Sequence, residues 1–262
     1  MRAIVHLLGA LTATASSVFA FPTITGLSTP YTQDFDTLAS SGSTGTTLPD
    51  GWAFYETGSA ANASYGVGTG SSATGNTYSF GSAGATDRAL GALRSGSLAS
   101  VFGVQIRNSS GSILTALDIR YTGEQWRLGR QDRADQLDFQ YSLDATSLTT
   151  GTWTDVNALD FVTPNPGATV GALDGNAAIN QTALSFLLSG LHIPDGGTFW
   201  FRWVDPDAPS GADDGLAVDN FSVRGLTSNS SKVPESLPLS SSVAAFFVLA
   251  VVGGRWRRGV QR

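Results

Sequence analysis

Ile113 to Thr122 alternates, with Leu117, Ile119 and Tyr121 on one side and Asp118, Arg120 and Thr122 on the other. A period of two marks a strand with one buried and one wet face. Nothing between residues 21 and 231 sustains a helical period against it. Strand-like runs recur at Tyr31–Asp36, Trp52–Tyr55, Thr77–Phe80, Ala89–Leu93 and Ser100–Arg107. They continue at Gln136–Leu143, Trp153–Val156, Thr182–Leu188, Thr198–Val204 and Leu216–Arg224. Between them lie Gly-, Ser-, Asn- and Pro-rich connections, such as Asn108-Ser109-Ser110-Gly111. Gly58 to Gly75, rich in Gly, Ser and Ala with almost no charge, reads as a long mobile loop. Many short strands on Gly-rich turns predict an all-β fold, a jelly-roll β-sandwich over residues 21–225. The chain has no Cys, so this domain must stand on its core without disulfides.

The ends read differently. Arg2, the apolar Ile4–Leu11 and the small-residue site Val18-Phe19-Ala20 predict a signal peptide over residues 1–20. At the other end a linker over 226–232 leads to Val233-Pro234-Glu235-Ser236. Then come a mostly apolar Leu237–Gly254 and the basic Arg255-Trp256-Arg257-Arg258, closing at Arg262. The apolar run is 18 residues long, against the roughly 17–25 that cross a bilayer. The arginines mark a cytoplasmic end. This layout resembles the PEP-CTERM sorting signal of exopolysaccharide-producing bacteria, although Ser236 stands where a second proline is usual. The resemblance implies a tail over 233–262 with its motif at Val233, Pro234 and Glu235 and a single transmembrane helix over 237–254. It implies an exosortase-type enzyme as partner, and transient inner-membrane anchoring followed by a cell-surface or extracellular location.

Between residues 21 and 231 there are 20 acidic residues and 9 arginines, a balance near −11 against −6 for the whole chain. Such a domain lacks the basic surface that neutralises phosphates, so nucleic acid is not an expected partner.

Asp205, Asp207, Asp213, Asp214 and Asp219 fall within fifteen positions. Clustered carboxylates are the material of a Ca2+ site, which takes about six to eight oxygens. An EF-hand register fails, since Pro209, Ser210 and Leu216 occupy positions that need a ligand, a glycine and a glutamate. In a regular last strand Asp219 shares a face with Phe221 and Val223 and is drawn toward the core. Its partner would be a metal ion, Arg202 or backbone amides of the first strand; the bland alternative is a solvated turn and a hydrogen-bonded strand Asp.

Asp34-Phe35-Asp36, Leu48-Pro49-Asp50-Gly51-Trp52 and Asp214-Gly215-Leu216-Ala217-Val218-Asp219-Asn220-Phe221 resemble the opening and closing strands of MAM-like, choice-of-anchor jelly rolls. In related jelly rolls a cation ties the first strand to the last. Here the resemblance implies Asp36 and Asp219 as Ca2+ ligands, with Asp34 and Asp214 as secondary ones.

His192 is the one histidine left after signal-peptide removal and lies in no nucleophile elbow. A carbohydrate-active enzyme would need only a carboxylate pair, for which Glu124 beside Trp126 is a member; the alternative is pairing of Glu124 with Arg127 or Arg120. Sugar stacking would fall to exposed aromatic rings, with Trp126 and Trp153 as candidates. The sequence therefore predicts a non-enzymatic structural or adhesive surface module with exopolysaccharide as a partner. The alternative is a glycosidase-like enzyme.

Overall fold

The computed structural model describes residues 21–228. They form β1 Thr23–Ile24, β2 Tyr31–Gln33, β3 Thr44–Gly45, β4 Trp52–Thr57, β5 Tyr65–Gly68, β6 Asn76–Phe80, β7 Ala89–Leu93 and β8 Ala99–Asn108. There follow β9 Leu114–Leu128, β10 Gln136–Ser142, β11 Thr154–Asp155, β12 Phe161–Val162, β13 Gly171–Ala172, β14 Gln181–Ile193, β15 Thr198–Val204 and β16 Gly215–Leu226. The predicted signal peptide, the Val233-Pro234-Glu235 motif and the apolar run 237–254 lie outside the described residues. Among the described residues no helix is long and apolar enough to cross a membrane.

The strands make two sheets. One runs β1-β8-β15-β10-β11, with β4 also on β8 and β12 also on β10. The other runs β13-β9-β16-β7-β6-β5-β3, with β14 also on β9 and β2 also on β16. Successive strands β7 to β10, and again β14 to β16, alternate between the sheets. The long strands carry two short partners along one edge. Along β16, residues 215–218 pair with β7 and residues 221–223 pair with β2. The ladder on that edge is therefore interrupted at Asp219 and Asn220.

The inner faces close on one core, which makes the pair of sheets a β-sandwich. Trp203 of β15 is fully buried. Its ring lies 5.1 Å from Phe139, 5.4 Å from Tyr121, 5.7 Å from Phe102 and Phe221, and 5.8 Å from Trp52. Tyr121 and Phe221 belong to the facing sheet, so this one side chain ties the layers together. The Tyr121 hydroxyl donates to the Leu159 carbonyl. Trp200, on the opposite face of β15, is buried too, because Ala145 and Leu148 fold over it.

The segment 58–75 departs from the expected long loop: it contains β5, which pairs parallel with β6 at Gly66 opposite Tyr78. The glycines are the reason. A Cβ on Gly66 would come within 2.6 Å of the Tyr78 ring, so the bare backbone lets that ring lie across the strand. A second buried tie is Glu56. Its carboxylate accepts from Thr77 N–H at 2.7 Å, the Thr77 hydroxyl at 2.9 Å, and both Asn62 N–H and Nδ2 at 3.0 and 3.1 Å.

Candidate functional site

The interruption along β16 is a β-bulge. Asp219 pairs with Thr122 and Ser222 with Arg120 on β9, so three steps on one strand match two on the other. Asn220 absorbs the extra residue at φ +50°, a left-handed conformation that Asn tolerates better than most side chains. The bulge reverses the facing of every residue beyond it. Leu216 and Val218 point into the main core, and so do Phe221 and Val223. Ala217 packs on the outer side with Tyr78, Phe80 and Trp126. Asp219 thus lies on the face opposite Phe221, correcting the expectation drawn from a regular strand. Arg202 is not its partner either, for that guanidinium bonds Gln140 and the Leu148 carbonyl on the other sheet.

Asp219 is 4% exposed. Its Oδ2 accepts from Asn220 Nδ2 at 2.7 Å, and its Oδ1 has no hydrogen-bond partner. Burial pushes its carboxyl from an ordinary 3.8 up to about 8; the Asn220 backbone N–H, which faces the carboxylate, offsets part of this, and Glu124, Asp87 and Asp36 add to the rise. The chain order explains why these groups meet. Asp36 follows the end of β2, and Asp87 precedes β7, the two strands between which the β16 edge is left open. Glu124 sits on β9 opposite Ala217, two residues along from Asp219's own partner.

These carboxylates form one electrostatic group, which we call the bowl: Asp219 and Glu124 are buried, and Asp36 and Asp87 are exposed and near enough to act on Asp219. Asp36 Oδ1 accepts the Arg88 N–H at 3.1 Å. The Arg88 guanidinium gives its hydrogen bonds to Ser79 and the Gly68 carbonyl and to no carboxylate, although Asp87 is near enough to favour its charge. Glu124 accepts from Trp126 Nε1 at 2.9 Å and Gln181 Nε2 at 3.0 Å. Burial pushes its carboxyl up to about 7, with those hydrogen bonds offsetting part and Asp87 and Asp174 adding to it. The expected pairing with Arg127 or Arg120 is absent: Arg127 bonds the Gly70 and Ser71 carbonyls, and Arg120 bonds Asp118.

Of the four anticipated Ca2+ ligands, the fold brings Asp36 and Asp219 to one place. Asp34 stands beside them in a capping role, its Oδ1 accepting the Asp36 N–H at 3.3 Å. Asp214 is elsewhere and fully engaged, accepting from Gly129 N–H and the Thr163 hydroxyl at 2.7 Å each. It belongs to a separate buried network in which Arg133 bridges Asp135 and Asp213. Among the described residues no three acidic or histidine side chains form a ready-made metal ligand set. A hard cation at Asp219 would complete its shell with backbone carbonyls and water, as Ca2+ commonly does. Asp87 escaped the sequence reading because Thr86-Asp87-Arg88 carries no ligand spacing; it reaches the bowl only through the β6–β7 hairpin.

The two expected sugar platforms are both engaged. Trp126 is 2% exposed, stacked on Phe80 at 6.2 Å and overlain by Gly175, whose Cβ would come within 2.3 Å of its ring. No sugar can reach it. Trp153 is half-buried against the cluster of Ala145, Leu148 and Trp200. Arg202 stands 3.8 Å over its ring, and its Nε1 donates to the Thr150 carbonyl at 2.8 Å.

No family model matches this chain, and no curated protein matches it. Among solved structures it is similar to the CBM22-1 xylan-binding domain of Paenibacillus barcinonensis Xyn10C, at TM-score 0.38 and 10% identity over 74% of this chain and 92% of that one. It is also similar to the K3 cleaved adhesin domain of Lys-gingipain from Porphyromonas gingivalis, at TM-score 0.40 and 10% identity over 67% and 93% of the two chains. These are weak likenesses, and the two-sheet architecture stands on the strand pairing itself.

Proposed function

We propose that this chain is an exported, non-catalytic jelly-roll module of the bacterial surface or extracellular matrix. In this reading Ca2+ at Asp36 and Asp219 locks its opening and closing strands, and matrix polysaccharide is its partner. The observation that carries the reading is the buried Asp219 carboxylate, with one oxygen unpartnered, in a bowl whose other members are acidic. A buried carboxylate left without a cation or full hydrogen bonding costs several kcal/mol. Here a divalent ion would do what the broken ladder does not, joining the segments after β2 and before β7 to the open edge of β16.

The glycosidase alternative has its carboxylate pair in Glu124 and Asp219, on neighbouring strands and both with raised pKa. Access argues against it. Glu124 is 1% exposed and both its oxygens are occupied by Trp126 and Gln181, so the pair lacks one accessible member. The tail motif Val233-Pro234-Glu235 supports recognition by an exosortase-type enzyme, with membrane anchoring before release. The test is thermal unfolding of the full chain in Ca2+ and in EDTA, alongside Asp219→Ala. The proposal expects a Ca2+-dependent rise in melting temperature that the variant loses. Superimposable curves from metal-free wild-type protein would overturn it.

A further inference from the structure

Beside the carboxylate bowl, on the side where β2 meets β16, a cleft of about 680 Å3 opens to solvent. Its lining residues include the aromatic Phe21 and Tyr31, the amides Gln33 and Asn220, and the acids Asp34 and Asp50. The volume lies within the roughly 300–1,000 Å3 of small-molecule sites. Phe21 is 39% exposed, a large apolar ring at the surface with the cleft before it. Tyr31 is held in place from behind, its oxygen accepting Trp52 Nε1 at 2.9 Å.

Two of the wall residues are built into the neighbouring bowl. Asn220 is fixed by the bulge at φ +50° and donates to Asp219, while Asp34 accepts from Asp36. Left-handed non-glycine residues cost free energy and gather where a side chain must be aimed. Here the residue so aimed lines both the cleft and the bowl.

We propose that this cleft is the polysaccharide-binding site, that it takes neutral sugar units, and that cation binding in the bowl fixes one of its walls. The chemistry of the lining selects the ligand. Ring faces offer stacking to the C–H face of a pyranose, and carboxylates and carboxamides suit its paired hydroxyls. None of the lining side chains is cationic; the one cation at the cleft would be the Phe21 α-amino group after signal-peptide removal, a single charge against the two of Asp34 and Asp50, so uronic-acid polymers are disfavoured. A lone ammonium ion would leave the carboxamides and most of the volume unused. The sugar ligand rests on the polysaccharide reading above and the last element on the Ca2+ reading, and the two fail separately in the experiment below.

The experiment is calorimetric titration of the full chain with cellohexaose, xylohexaose and mannohexaose, and with oligogalacturonate as the anionic comparator. The same protein is melted with and without Ca2+. At least one neutral hexaose should bind, oligogalacturonate should not, and EDTA should weaken the sugar. Phe21→Ala should weaken it about tenfold, the loss of one stacked ring, and leave the Ca2+ response unchanged. Asp50→Asn, at an exposed position away from the bowl, should weaken it as well. The cleft is overturned if none of the neutral hexaoses binds, if both variants bind as wild type does, or if oligogalacturonate binds more tightly. Sugar binding without any Ca2+ response would support the cleft and overturn the cation's part in it.

Discussion

Asp219→Asn tests the unpartnered carboxylate directly, because it keeps the shape of the side chain and removes the charge. Burial and acidic neighbours hold Asp219 at about 8 instead of 3.8. At pH 7 the native state without metal must therefore bind a proton that the unfolded chain does not. Over about three pH units this costs the folded state roughly 4 kcal/mol at most. The rim of the bowl is wet, so we take half, roughly 2 kcal/mol. In EDTA the variant should thus be more stable than wild type, by about 4–8 °C for a domain of this size. In Ca2+ at a hundredfold excess over its dissociation constant, wild type should gain about 2.7 kcal/mol and the variant nothing, so the difference between them closes or inverts. Differential scanning calorimetry of both proteins in both buffers reads the crossover. A variant less stable than wild type in EDTA would refute the reasoning, since Asp219 would then be stabilising the fold without metal.

The remaining expectations follow from the same geometry. In EDTA, wild-type stability should fall as pH rises from about 4 to about 8, because Asp219 and Glu124 carry raised values in the folded state and ionise against burial; Ca2+ should flatten that slope. Asn220→Gly should keep the bulge, since glycine accepts φ +50°, whereas Asn220→Val should destabilise by roughly 1–3 kcal/mol, read by urea unfolding. Trp203→Ala should cost about 3–5 kcal/mol, because the ring it removes touches both sheets. Replacing Val233, Pro234 and Glu235 with alanine should leave the exported chain uncleaved in the membrane fraction on immunoblotting of fractionated cells; unchanged processing would contradict the sorting role.

The sandwich was legible because its signal is local. Ala89–Leu93 and Thr198–Val204 coincide with β7 and β15, and the alternation over Ile113–Thr122 marks the N-terminal part of β9. β5 was hidden, since Tyr65–Gly68 has two glycines that belong to a strand only because Tyr78 needs the space. The resemblance to MAM-like domains named Asp36 and Asp219 together, and the fold brings them near enough for Asp36 to act on the Asp219 carboxyl. The side of the sheet on which Asp219 lies was not, because alternation assumes a regular strand and one bulge at Asn220 inverts it. Trp126 and Trp153 misled for a related reason. An aromatic residue in a strand looks alike whether its outer face is bare or roofed, and here the roof comes from distant Gly175 and Arg202.

The central claim is that one divalent ion binds where β16 loses its ladder. Calorimetric titration of metal-stripped full chain with Ca2+ tests it most directly. The account predicts saturable binding of one ion per chain, abolished by Asp219→Asn and weakened by Asp36→Asn. No binding heat at any temperature, or the same isotherm in both variants, would contradict it.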